Sequence, residues 1–247
     1  MASISAQRPI TARTERGFYL CMMAVISAAL LLGFAQSVFL RPWFPDVKTA
    51  PEPYFYFHGL VMFAWMALFT MQVVLVAARR PATHRTLGIA GVAMVPVMTV
   101  SGLIGAAITG GRFASATVPA PIGDVEFMGL LFTIIIVFAA FAGLALALRR
   151  DLQSHKRLML LAAIVLVEVA VFRWPFDFVQ GNAIASFLVV AVLLVPMVFW
   201  DLRSRGSLHP VTLWGGAAFI LYGLVRLPIA GSAAWHTLGR SLVIVGS

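Results

Sequence analysis

The chain has 247 residues, 61% hydrophobic and 11% charged, where a typical soluble domain carries about 25% charged residues. Apolar runs of roughly 20 residues, the length a helix needs to cross a bilayer core, recur along it; this excludes an ordinary soluble globule. The formal charge of +9 sits on single or paired basic residues between those runs, with no contiguous basic face, so it does not point to nucleic acid.

Residues 1–16, MASISAQRPITARTER, are polar and basic and are expected to form a short cytoplasmic segment. The apolar run that follows, 17–40, is longer than the roughly 7–15 residues of a signal-peptide core, so it reads as a retained first span. It holds the one cysteine, Cys21, which can form no intrachain disulfide and is expected to be a small core or lipid-facing residue. Gln36 lies near its outer end.

Further spans are expected near 54–78, 86–109, 125–148, 156–172, 184–200 and 211–227. The fold is therefore an all-α bundle of seven transmembrane helices in one domain, 17–230. The remaining segment, 231–247, is too interrupted for another crossing and reads as an interfacial tail. Pro96 and Pro196 are positioned to kink spans three and six. The small-residue runs SGLIGAAITGG and GLALA suit close helix packing.

Basic residues set the orientation. Twelve of the 18 Lys and Arg fall in the N-terminal segment and the even-numbered connections, which places the N-terminus in the cytoplasm and the C-terminus outside. A multi-pass protein of a bacterial inner membrane is expected, with lipid, and possible further membrane subunits, as partners.

Spans three, five and seven open on similar stretches, THRTLG, SHKRLM and LHPVTLW. Each follows a helix that ends in basic residues, giving one helix plus three repeated hairpins. Thr83 and Ser154 are natural N-cap residues ahead of His84 and His155, and Pro210 puts His209 at a cap. These three histidines are thus expected as caps and interfacial anchors. A b-type haem held by His84, His155 or His209 is the alternative, although they stand at helix ends and no His-x-x-x-His or Cys-x-x-Cys pair supports a metal centre. His236, in the tail, is the only outer partner available to His58.

Ionisable groups at membrane depth point to function. Glu168 lies in LLAAIVLVEVAVF, roughly 18 Å beyond the start of its span at 1.5 Å per residue. Arg173 and Arg226 end their spans in FRWP and VRLP, roughly 26 Å, about one membrane crossing, from the histidine that opens each span. His58, Trp65 and Gln72 recur every seven residues along span two and share one face. His58, Glu168, Arg173, Arg226, Tyr222 and Gln36 are therefore expected to form an outward-facing polar pocket. It would bind or move a small ligand or proton, with Glu168 as the titratable group.

The segments HKRLMLLAAIVLVEVAVFRWP, DLRSRGSLHPVTLWGG, HGLVMFAWMALFTMQ and THRTLG resemble a widespread set of uncharacterised bacterial seven-helix membrane proteins, over most of the chain after Tyr54. The resemblance implies the topology and carries no activity. The histidine-led hairpins also show a looser likeness to b-type membrane cytochromes, without the paired in-helix ligands.

Overall fold

A computed structural model describes residues 12–45, 47, 53–115 and 123–243. It is all-α; no strand occurs among the described residues. Helix α1 spans Ala12–Phe34 and runs on into a π turn, Ala35–Phe39. Helix α2 is Pro53–Ala77, α3 Pro81–Ser115, α4 Asp124–Ala147 and α5 Leu152–Val171. Then come α6 (Ala183–Ala191), α7 (Leu194–Arg205), a π turn at Val211–Gly215, α8 (Gly216–Ala230) and α9 (Ala233–Leu242). The connection between α3 and α4 lies largely outside the described residues, as do the first eleven residues.

Six helices are long and apolar enough to cross a membrane: Ala12–Phe39, Pro53–Ala77, Pro81–Gly111, Asp124–Ala147, Ala183–Arg205 and Val211–Ala230. The fifth expected span is the exception. Helix α5 is long enough at 20 residues but carries Lys156, Arg157 and Glu168. It can carry them because it sits at the centre. Every residue from Leu160 to Glu168 is buried, so no face of α5 there meets lipid. Helices α1, α4, α6 and α8 surround it.

Short links make antiparallel neighbours of α2 and α3, and of α4 and α5. The chain thus gathers the α1 start and the α2–α3, α4–α5 and α7–α8 connections at one end, here called the basic end. Pro196 divides the sixth span. Lacking an N–H, it cannot continue the ladder, and α6 stops at Ala191 before α7 begins at Leu194. Pro96, by contrast, stays inside an unbroken α3. Helix α7 ends on Gly206, whose φ of 71° is the left-handed cap that glycine adopts without strain.

Close approach fixes the position of α1. A Cβ on Gly33 would stand 2.2 Å from the Ala170 carbonyl oxygen, so α1 crosses α5 backbone to backbone at that point. The tail is a regular helix. Ser232 caps α9, and the Trp235 indole donates to the Val125 carbonyl at 2.7 Å, laying α9 across the start of α4. His236 adds an ion pair to Glu126 at 2.9 Å.

Two expected caps are elsewhere. Asp151 caps α5, accepting from the N–H groups of Gln153 and Ser154 and from the Ser154 hydroxyl, so Ser154 is the third helical residue. A carboxylate here also suits the positive end of the helix dipole. Helix α3 starts at Pro81, which leaves Thr83 inside the first turn. Proline at the first position needs no N–H partner, which lets the helix begin three residues earlier.

Candidate functional site

Glu168, Tyr222 and Arg226 meet in the interior between α5 and α8. Arg226 Nη1 donates to Glu168 Oε1, and the Tyr222 hydroxyl donates to Glu168 Oε2 at 3.0 Å. Arg226 Nη1 also reaches the Tyr222 oxygen at 3.3 Å, and its Nη2 donates to the Ala183 carbonyl at 2.5 Å. Tyr222 and Arg226 are four residues apart on α8 and therefore share a face. The Arg226 guanidinium lies over two rings, 4.9 Å from the Phe187 centroid and 5.4 Å from that of Tyr222. A Cβ on Gly223 would collide with the Phe187 ring, so this glycine is what lets the ring close over the arginine.

The cluster is sealed. Glu168 is 3% exposed, Arg226 1% and Tyr222 6%. A buried carboxylate beside a buried guanidinium is tolerable because each charge cancels the other and the remaining lone pairs find donors. One donor is left over: the Arg226 Nε, buried and without a partner.

The other expected members of the pocket stand apart. Arg173 donates to the Val169 carbonyl at 2.8 Å and lies over the Phe34 ring at 5.3 Å, at the outer end of α5. It stands two residues beyond Val171, where α5 ends, and is turned to the Phe34 ring rather than to the Glu168 carboxylate. Gln36 lies half-buried in the π turn after α1. His58 faces α3, its ring stacked on Tyr54 at 6.3 Å and close to Gly105. Its Nδ1 is buried and unpartnered. Neither Gln36 nor His58 is hydrogen-bonded to Glu168. The expected six-residue pocket is thus a closed trio, Glu168, Tyr222 and Arg226, with three outlying residues.

The rest of the α2 stripe joins helices. Trp65 stacks on Phe69 and meets Phe138 of α4 edge-on, with centroids 5.3 Å apart in both cases. The Gln72 amide, with its nitrogen toward α3, donates to the His84 carbonyl and Nδ1, and its oxygen accepts from the Gly88 N–H at 2.9 Å.

A second buried ion pair escaped the sequence reading. Asp201 of α7, fully buried, accepts from Arg157 of α5 through Nε at 3.1 Å and through Nη2. It also accepts from the His209 N–H at 3.0 Å. The Arg157 Nη1 is held by the Gln153 carbonyl and side-chain oxygens at 3.0 and 2.7 Å. The stretch WDLRSRG read as a polar connection, but α7 runs on to Arg205 and takes Asp201 inside. The available clue was the spacing of Arg157 and Glu168, which puts two charges of opposite sign on one face of one apolar helix.

The three histidines at the basic end are engaged through Nδ1. His155 donates from Nδ1 to the Ala145 carbonyl at 2.8 Å, pinning α5 to the end of α4. His209 caps the last span: its Nδ1 accepts from the Val211 N–H at 3.1 Å and its carbonyl from the Leu213 N–H at 3.0 Å. Burial, with Arg157 and Arg205 close by, holds the His209 imidazole below its ordinary pKa. Asp151 is held below the usual carboxylate range by its hydrogen bonds from Ser154. In His84 and His209 the Nδ1 accepts, so their proton is on Nε2. Of the three, only His155, whose Nδ1 donates, leaves Nε2 as the unprotonated nitrogen of a neutral ring, which does not suit a bis-histidine haem. No group of three or more His, Cys, Asp or Glu placed to hold a metal ion occurs among the described residues.

No family model matches the chain, nor does any curated protein or solved structure.

Proposed function

We propose that the protein binds or moves a proton or a small ligand across a membrane, with Glu168 as the titratable group and Arg226 and Tyr222 as its partners. The observation that supports this is the Glu168–Arg226 pair itself, buried beside a tyrosine hydroxyl in an otherwise apolar bundle. Charges at that depth are costly, and a well-packed apolar pair would serve stability as well or better. Protonating Glu168 removes the attraction that holds Arg226, and opening the trio toward the outer side would give the outward-facing pocket.

The broken sixth span fits this reading. Arg226 is tethered to Ala183, the first residue of the short α6. Interrupted helices flanking a buried charge are a recurring arrangement in secondary transporters, which is an analogy of architecture alone. In this reading α5 joins the six apolar helices to make seven spans, the basic end faces the cytoplasm, and the protein resides in a bacterial inner membrane with lipid around it.

The test is proton flux into proteoliposomes loaded with a pH-sensitive dye, under an imposed pH gradient. Wild-type protein should collapse the gradient faster than empty vesicles, and Glu168→Gln should not, while keeping the wild-type circular dichroism spectrum. Equal flux from both proteins would overturn the role of Glu168.

A further inference from the structure

At the basic end, a cleft of about 370 Å³ opens between the first turns of α1 and α5 and the last turn of α7. It is lined by Glu15, Gln153, Arg157, Trp200, Ser204 and Arg205. We infer that this cleft binds the phosphate of one anionic phospholipid from the cytoplasmic leaflet.

The donors point that way. Arg157 forms one wall, but its charge is committed to Asp201. Arg205 is exposed and has no hydrogen bond or ion pair among the described residues. The Gln153 side-chain oxygen is turned to Arg157, so its NH₂ group is left as a donor. The Trp200 indole, stacked on Phe18 at 4.7 Å, closes one side of the cleft. A guanidinium and an amide NH₂ thus line one opening with no acceptor of their own. Phosphate oxygens are acceptors only, and an arginine fork matches them well.

The negative group in the cleft does not oppose this. The Glu15 carboxylate is bound by Lys156 on the neighbouring wall, which leaves the lining with a net positive charge. Arg203 on the same helix turn adds to the local potential.

The surroundings favour a lipid over a free ion. The cleft lies at helix ends where headgroups would sit, and a tryptophan beside it is typical of that level. On the same helix, Phe199 and Leu202 are 68% and 47% exposed, so the side of α7 turned away from the cleft is apolar and suits acyl chains at this level. Basic pockets between helices at the cytoplasmic face are a known way to hold acidic lipids.

The test uses full-length protein in a neutral detergent, titrated with phosphatidylglycerol, phosphatidylcholine or inorganic phosphate. Retained lipid is read by native mass spectrometry and stability by thermal unfolding. One phosphatidylglycerol should be retained in preference to phosphatidylcholine and should raise the melting temperature. Arg205→Ala should weaken retention roughly ten-fold, as for loss of a charge-assisted hydrogen bond. Arg203→Ala, outside the cleft, should change it less than about two-fold, as a screened surface charge would. Both variants are at exposed positions, so folding is not at issue. Equal losses in the two variants, or no preference between the lipids, would overturn the site. Inorganic phosphate alone giving the full stabilisation would overturn the lipid as its occupant.

Discussion

Arg157 and Glu168 lie on the same face of α5, three helical turns apart, and each is buried against a partner of opposite charge on a following helix. Eleven positions separate them, which at 100° per residue brings the second within about 20° of the first and roughly 16 Å along the axis. Arg157 pairs with Asp201 of α7, and Glu168 with Arg226 of α8. Leu161, Ile164 and Val165 occupy the same face between them and are fully buried. Among the described residues the bundle therefore holds two buried ion pairs, one toward each end, separated by a dry apolar layer and joined by one helix.

The pair at the basic end should behave as structure. Asp201→Ala leaves Arg157 and the His209 N–H without an acceptor, and breaking a buried pair from one side costs about 3–5 kcal/mol. Asp201→Asn, which still accepts from His209, should cost less. Thermal unfolding in detergent would rank the two, and equal melting temperatures would count against the His209 contact.

At the other pair, Arg226→Lys should fail to replace arginine. A single ammonium cannot reach Glu168 and the Ala183 carbonyl together while keeping its contacts with the rings of Phe187 and Tyr222. The expected result is a clear fall in melting temperature, with Glu168→Gln combined with Arg226→Met recovering part of it. A lysine variant as stable as wild type would mean that the arginine fork does not hold α6 to α8.

Gly33→Ala should destabilise through α1. The added methyl would meet the Ala170 backbone, which cannot swing aside as a side chain can. Overpacking of this kind typically costs about 1–3 kcal/mol. An alanine variant of wild-type stability would show that α1 can shift outward without loss.

Much of this architecture was legible in the sequence, because apolar length is the property that the bilayer selects. The depth of Glu168 and Arg226 was legible for the same reason, since counting residues along a span measures depth. Direction around the helix was less accessible. Arg173 and Arg226 stand at similar distances from the starts of their spans, yet Arg173 lies past the end of α5 and packs on Phe34, while Arg226 is inside α8 and reaches Glu168. Asp201 was hidden by the polar look of WDLRSRG, where the helix continues one turn further than the apolar run. His58 and Gln36 share the depth of the trio but stand on α2 and beyond α1, and helix adjacency is not written in any single segment.

His209 gives the pH dependence. Burial and the neighbouring Arg157 and Arg205 hold its pKa below the ordinary 6.5, so the folded protein binds a proton there less readily than the unfolded chain. Its contribution is then fully present above about pH 6.5 and is lost as the pH falls from there through the folded-state value. Protonation would also remove the Nδ1 lone pair that accepts from the Val211 N–H. His209→Asn keeps a side-chain acceptor at that cap but cannot take up the proton. The variant should match wild type at neutral pH and lose less stability between pH 7 and pH 5, measured by thermal unfolding in detergent at several pH values. Identical pH profiles for the two proteins would place the acid sensitivity elsewhere in the bundle.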